Sequence, residues 1–183
     1  MKKSILGLTV SALFMVGAAQ ASTNPNDVSA TLSVTGTVVE DITQVCTVSL
    51  DKSSVALSND VGDLINQGDR ATANGSERVN LQIVGGDQCQ TEIAAGHMAY
   101  KFTGTADNAD GTVLTNTDTS ATAAQGVGVG IYDYVGNVLK VNQDTLPATT
   151  AGNAITLQMV KLTGQEAIAG NVLSSVTIEI ERL

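Results

Sequence analysis

Few residues of this sequence carry side chains that could do chemistry, and they are far apart. The cysteines are Cys46 and Cys89, and His97 is the sole histidine. A metal site would need further ligands. His97 stands beside glycine in "AAGHMAY", where a lone imidazole reads as a loop or strand-entry residue rather than a general base. The acids of "DNADG" (107–111) invite comparison with a calcium loop. Their spacing departs from the EF-hand pattern and the distal glutamate is missing, so a plain turn is expected. "GVGVG" (126–130) lacks the helix and lysine that follow in a phosphate cradle. It reads instead as a strand whose glycines allow close packing. Eighteen acids offer many carboxylate pairs for glycoside cleavage, and nothing in the sequence selects one. No catalytic residue, metal ligand or cofactor is assigned, and the chain is expected not to be an enzyme.

The first residues indicate a compartment. "MKK" is a short basic start, "SILGLTVSALFMVGA" is an apolar run, and "AQA" before Ser22 is a small-x-small cleavage site. Residues 1–21 are therefore expected to be a secretory signal peptide. The run is short for a membrane-spanning helix, and no stop-transfer pattern follows. Removing 21 residues from 183 leaves 162, the size of one domain. Loss of Lys2 and Lys3 takes the net charge from −9 to −11. So acidic a surface argues against nucleic acid and anionic membranes as partners. Tryptophan is absent, and Tyr100, Phe102, Tyr132 and Tyr134 are the aromatic residues left, so platforms for stacking sugars or bases are scarce. In an oxidising space the two cysteines are expected to form one disulfide. Closing a loop of about forty residues would contribute roughly 4 kcal/mol through chain entropy.

Strand signals dominate the rest. "SATLSVTGTVV" (29–39), "VCTVSL" (45–50), "RVNLQIV" (78–84), "MAYKFTG" (98–104), "GVGVGIYD" (126–133), "NVLKV" (137–141) and "AITLQMVKL" (154–162) are separated by turn-rich stretches. No capped amphipathic helix is evident, although 58–69 has room for one helical turn. Pro147 is expected in a loop. Many short strands at this spacing predict an all-β sandwich. Both ends of the exported chain read as strands with one apolar face. Val28, Ala30, Leu32 and Val34 alternate with Ser and Thr at the front; Val176, Ile178 and Ile180 alternate with Thr177, Glu179 and Glu181 at the back. Such strands are either ordinary edges of their own sandwich or edges meant for pairing with another chain.

Several longer pieces resemble one family. They are "GTVVEDITQVCTV" (36–48), "VNLQIVGGDQCQTE" (79–92), "YKFTGTAD" (100–107), "GVGVGIYDYVGNVL" (126–139) and "AITLQMVKLTGQEAIAGNVLSSVTIEIERL" (154–183). Together they resemble chaperone–usher pilus subunits of the type 1 fimbrial major-pilin kind. The places of Cys46, Cys89 and Gly170 match that family as well. Two features depart from it: Arg182 stands where the family usually has a penultimate tyrosine, and "EDITQV" (40–45) is longer than the usual spacing, which predicts a bulge or a longer crossing.

The resemblance implies an incomplete immunoglobulin-like β-sandwich completed by a donor strand from another subunit. It implies an N-terminal extension over 22–35 and a pilin domain over 36–183. The donor face would be Val28, Ala30, Leu32 and Val34, with Ala30 at the narrowest position. Gly170, Val176, Ile178 and Ile180 would line the groove and meet the chaperone. The implied partners are further copies of the chain and related pilins, a periplasmic chaperone, an outer-membrane usher and host-cell receptors reached through the fibre. The implied route runs through the periplasm to a fimbrium on the bacterial surface. The alternative reading is a receptor- or sugar-binding minor fimbrial adhesin. An adhesin is expected to need a further binding domain ahead of the pilin domain.

Overall fold

The computed structural model describes residues 45–183 in full and the backbone of 29–31. The expected signal peptide and "EDITQV" up to Gln44 lie outside the described residues. The elements in chain order are β1 (Ser29–Thr31), β2 (Thr47–Leu50), β3 (Ser54–Ala56), β4 (Ile65–Asn66), β5 (Ser76–Val84), α1 (Asp87–Ala94) and β6 (Met98–Gly104). They continue with β7 (Leu114–Thr115), β8 (Val127–Tyr132), β9 (Thr145–Pro147), β10 (Asn153–Lys161) and β11 (Val176–Arg182). One large sheet runs β2-β5-β10-β8-β7, with β4 added parallel to the end of β10. A smaller sheet runs β11-β6-β9, and β1 pairs with β3.

Period-two alternation builds the core between the sheets. Val79, Leu81 and Ile83 of β5, Val127, Val129 and Ile131 of β8, and Ile155, Leu157 and Met159 of β10 meet Met98, Tyr100 and Phe102 of β6. Strand β8 explains the glycine-rich stretch. Its valines and Ile131 face this core, whereas Gly128 and Gly130 face the other side. A Cβ on Gly130 would lie 2.6 Å from the Tyr132 hydroxyl, and one on Gly128 would lie 2.8 Å from the Leu114 carbonyl. Close packing is thus the reason for glycine at both positions. That outer face carries a second, small core of Val113, Tyr132, Val160 and Leu162, against which Ile65, Ala71, Ala109 and Val138 pack.

The sandwich and most of its strands match the pattern in the sequence, and residues 61–63 form the expected helical turn. Three local expectations fail. Helix α1 occupies "DQCQTEIA", beginning in a stretch read as a turn. It ends on a Schellman arrangement, in which Gly96 N–H donates to Ile93 O and His97 N–H to Glu92 O, with Gly96 at φ 78°. Residues 137–141 form no strand. Only Val138 bridges to Tyr132, because Lys140 N–H turns to the Asp144 carboxylate and Asn142 adopts φ 63°. Pro147 is not in a loop but closes β9, at the edge of the smaller sheet, where its missing N–H leaves no ladder bond unmade.

Candidate functional site

β11 pairs in register with β6 along its whole length, Val176 opposite Gly104, Ile178 opposite Phe102 and Ile180 opposite Tyr100. Its other edge has no strand partner among the described residues. The consequence shows in burial. Phe102 and Tyr100 are fully buried and Val176 is 2% exposed, but Ile178 and Ile180, packed on the same core, are only partly covered. Burial pushes the hydroxyl of Tyr100, the cross-strand neighbour of Ile180, up to about 12. The opposite face of β11 is polar, and Glu181 forms an ion pair of 3.1 Å with Lys101.

Beside the segment that precedes β11 lies a cleft of about 290 Å³. One wall is the stretch 58–64 and the other is 168–172; Val127 and Met159 contribute from β8 and β10. Gly170 lines this cleft. It also packs on residues 122–124 so closely that a Cβ would fall 2.5 Å from both the Ala124 nitrogen and the Thr122 carbonyl. The wall at 58–64 was missed by sequence reasoning. Its apolar members Val61 and Leu64 were available as a signal, but they sit among turn residues without strand periodicity.

The remaining candidates fall into place separately. Cys46 and Cys89 form a disulfide with Cα atoms 5.7 Å apart, tying the entry to β2 to α1. Arg182 is exposed, with Nη2 3.9 Å from the Cys46 sulfur. His97 is exposed in the loop after α1, its Nδ1 3.0 Å from a Glu92 carboxylate oxygen. Asp107 of "DNADG" is buried. Its carboxylate accepts N–H groups from Ala109, Asp110, Thr112 and Val113 and the Gln67 amide, all within 3.0 Å. Burial works against the charge, but these donors outweigh it and hold the pKa below the usual carboxylate value. A carboxylate so saturated by N–H donors organises a turn.

Of the donor-face residues, Val28, Leu32 and Val34 lie outside the described residues. The backbone of β1 pairs antiparallel with β3 of the same chain, Ala30 opposite Val55. The resemblance assigns this stretch to an N-terminal extension that works in a neighbour; here three of its residues lie along β3 and not along β11. β3 offers an otherwise unpaired edge, and a nearby extended segment satisfies it.

An immunoglobulin-like sandwich in which the apolar edge of β11 has no strand partner among the described residues belongs to a class of β-domain suited to strand addition. The chain belongs to the fimbrial protein family, whose model matches residues 32–181. It is accordingly a fimbrial subunit, and the setting of such a subunit is a surface fimbrium. No curated protein matches the chain.

Proposed function

We propose that the chain is a structural pilus subunit that polymerises by donor-strand exchange. The extension 22–35 of one copy lays Val28, Ala30, Leu32 and Val34 against the open edge of β11 in the next copy. Gly170, Val176, Ile178 and Ile180 line the groove that receives them. Before assembly a periplasmic chaperone covers the same edge, and an outer-membrane usher passes the subunit into the fibre. The signal peptide 1–21 starts that route. The role is mechanical rather than catalytic, and host receptors are met through the finished fibre.

The observation that carries this reading is the partial exposure of Ile178 and Ile180 on an edge strand backed by fully buried aromatic rings. An added strand would complete the ladder and cover both isoleucines; since each is already partly covered, the gain per side chain is about 1 kcal/mol, a fraction of the roughly 1.5–3 kcal/mol for full burial from water. A head-to-tail contact of this kind does not close on itself and yields a filament. In a free subunit the pairing of β1 with β3 holds three residues of the extension at home, so assembly must break that short ladder.

Joining a copy of residues 24–36 after Leu183 through a short flexible linker tests the proposal. The tethered strand should fill the groove of its own chain. The expected product is a soluble monomer with a clearly raised melting temperature that no longer polymerises. A fusion that melts with the parent and still forms fibres would show that 24–36 is not the donor.

A further inference from the structure

The segment that leads into β11 belongs to no sheet, yet it forms one wall of the cleft. Backbone bonds hold it to the 117–125 loop, among them Ala124 N–H to the Asn171 carbonyl and Ile168 N–H to the Gln125 carbonyl, both at 2.9 Å, and the Asn116 side chain adds to them. Nδ2 of Asn116 donates to the carbonyls of Ala124 at 3.0 Å and Asn171 at 2.9 Å. Oδ1 accepts the N–H of Leu173 at 2.9 Å and of Asp118 at 3.0 Å. A side-chain amide has two N–H donors and two acceptor lone pairs, so this one is fully used. Thr117 N–H adds a bond of 2.7 Å to the Leu173 carbonyl, and Asn171 N–H one of 2.8 Å to the Thr122 carbonyl. Gly170, tight against 122–124, completes the seam. One partly buried residue outside the cleft thus makes two bonds within the 116–125 loop, to Ala124 and Asp118, and two to the 168–173 wall, to Asn171 and Leu173.

We infer that Asn116 is a positioning residue for strand capture: it fixes the wall of the cleft that receives one end of the incoming apolar face. The inference rests on the strand-capture reading above. The cleft is walled by 168–172, which precede β11 in the chain, and by no residue of β11 itself, so it can meet only one end of a strand added along β11. Loss of the seam should therefore be felt by that end and not by the middle. Alanine at 116 would remove the partner of the Leu173 N–H and loosen the wall near 171–173, with the backbone bonds at 168 and 171 still in place. Aspartate would keep the acceptors, lose both donors and face two carbonyl oxygens with a charge.

The test uses the mature chain and a labelled synthetic peptide of residues 24–36, with single-site versions Val28→Ala, Leu32→Ala and Val34→Ala. Asn116→Ala and Asn116→Asp should each weaken binding of the parent peptide about ten-fold, the scale of one hydrogen bond lost from a partly buried group. The loss should nearly vanish with one terminal variant, Val28→Ala or Val34→Ala, and persist with Leu32→Ala, as coupled and uncoupled pairs differ in a double-mutant cycle. Amide exchange should quicken at Leu173 and stay unchanged in β5 and β10. Equal losses with every peptide, or exchange quickened throughout the sandwich, would assign Asn116 a general structural role and overturn the inference. Saturable binding that is abolished by Ile178→Asp yet untouched by both Asn116 variants would overturn it alone. Absence of saturable binding to the wild type would overturn the strand-capture reading and this inference together.

Discussion

Apolar side chains leave the main core in two places, and the chain treats them in opposite ways. On the outer face of the large sheet, Tyr132, Val160 and Leu162 are joined by Val113 and sealed beneath the chain's own loops. Polar locks hold that cover down. Gln158, fully buried, accepts the Thr72 N–H and donates to the Thr72 hydroxyl and the Asn74 carbonyl; Asp107 clamps the 107–113 loop. Along β11, side chains of the same kind end at a bare edge beside an open cleft. The contrast shows that the open edge is local. A domain that covers a patch of four side chains with two loops is not short of means to cover Ile178 and Ile180. On the strand-exchange proposal, the difference lies in where the covering residues come from.

The comparison can be broken most severely at Ile178. In the isolated subunit an aspartate there keeps partial access to water; beneath an added strand it would be buried without a partner. Ile178→Asp should leave a folded subunit but cost about 4 kcal/mol or more at each junction. Chaperone co-purification and fibre yield should both collapse, and normal fibres from this variant would refute the groove.

At the closed region the expected effect is smaller and appears in the subunit itself. Asp107→Ala removes the acceptor for five N–H groups and should destabilise the free subunit by about 3 kcal/mol at neutral pH. The folded carboxyl has a lowered pKa, so its contribution is present above the unfolded value and disappears as pH falls through the folded one. Melting curves of wild type and variant should therefore converge in strong acid, with strand capture otherwise intact. A gap that persists there would place the stabilisation in packing rather than in the charge.

The smallest effect is expected for Ala30→Leu, which overpacks the narrowest part of the groove by about 1–3 kcal/mol per junction. Subunit stability should hardly change because the backbone ladder of β1 with β3 does not depend on the side chain at 30. Fibres should be scarce or shear easily under electron microscopy. Full-length, robust fibres would shift the donor register away from Ala30.

Strict alternation made the long strands legible: β5, β6, β10 and β11 have apolar residues on one face wherever they meet the main core. The Cys46–Cys89 pair was legible from export and count. The glycines of β8 were legible as close packing, but the small core that needs them was not, since its members come from distant parts of the chain. Helix α1 was hidden because Gly86 caps it without a side-chain bond and only Cys89 and Ile93 are buried, leaving a faint i, i+4 signal. The cleft was half legible. Gly170 pointed to one wall by family likeness, but Asn116 is an ordinary polar residue until the fold brings 124 and 171–173 to it. Tertiary contact, not local propensity, gives such residues their meaning.

The disulfide also governs how the domain bears a pull. Tension entering through the segment ahead of Cys46 reaches the domain one residue before β2, which is held to β5 by only four residue pairs. With the S–S bond closed, the load passes at once to Cys89 and α1, and β2 cannot be peeled away in series. The 43 residue steps between the cysteines are locked out of any extension. Stretched out, they would span roughly 150 Å at about 3.4 Å per residue. An oxidised filament thus keeps a hidden length that only reduction would release.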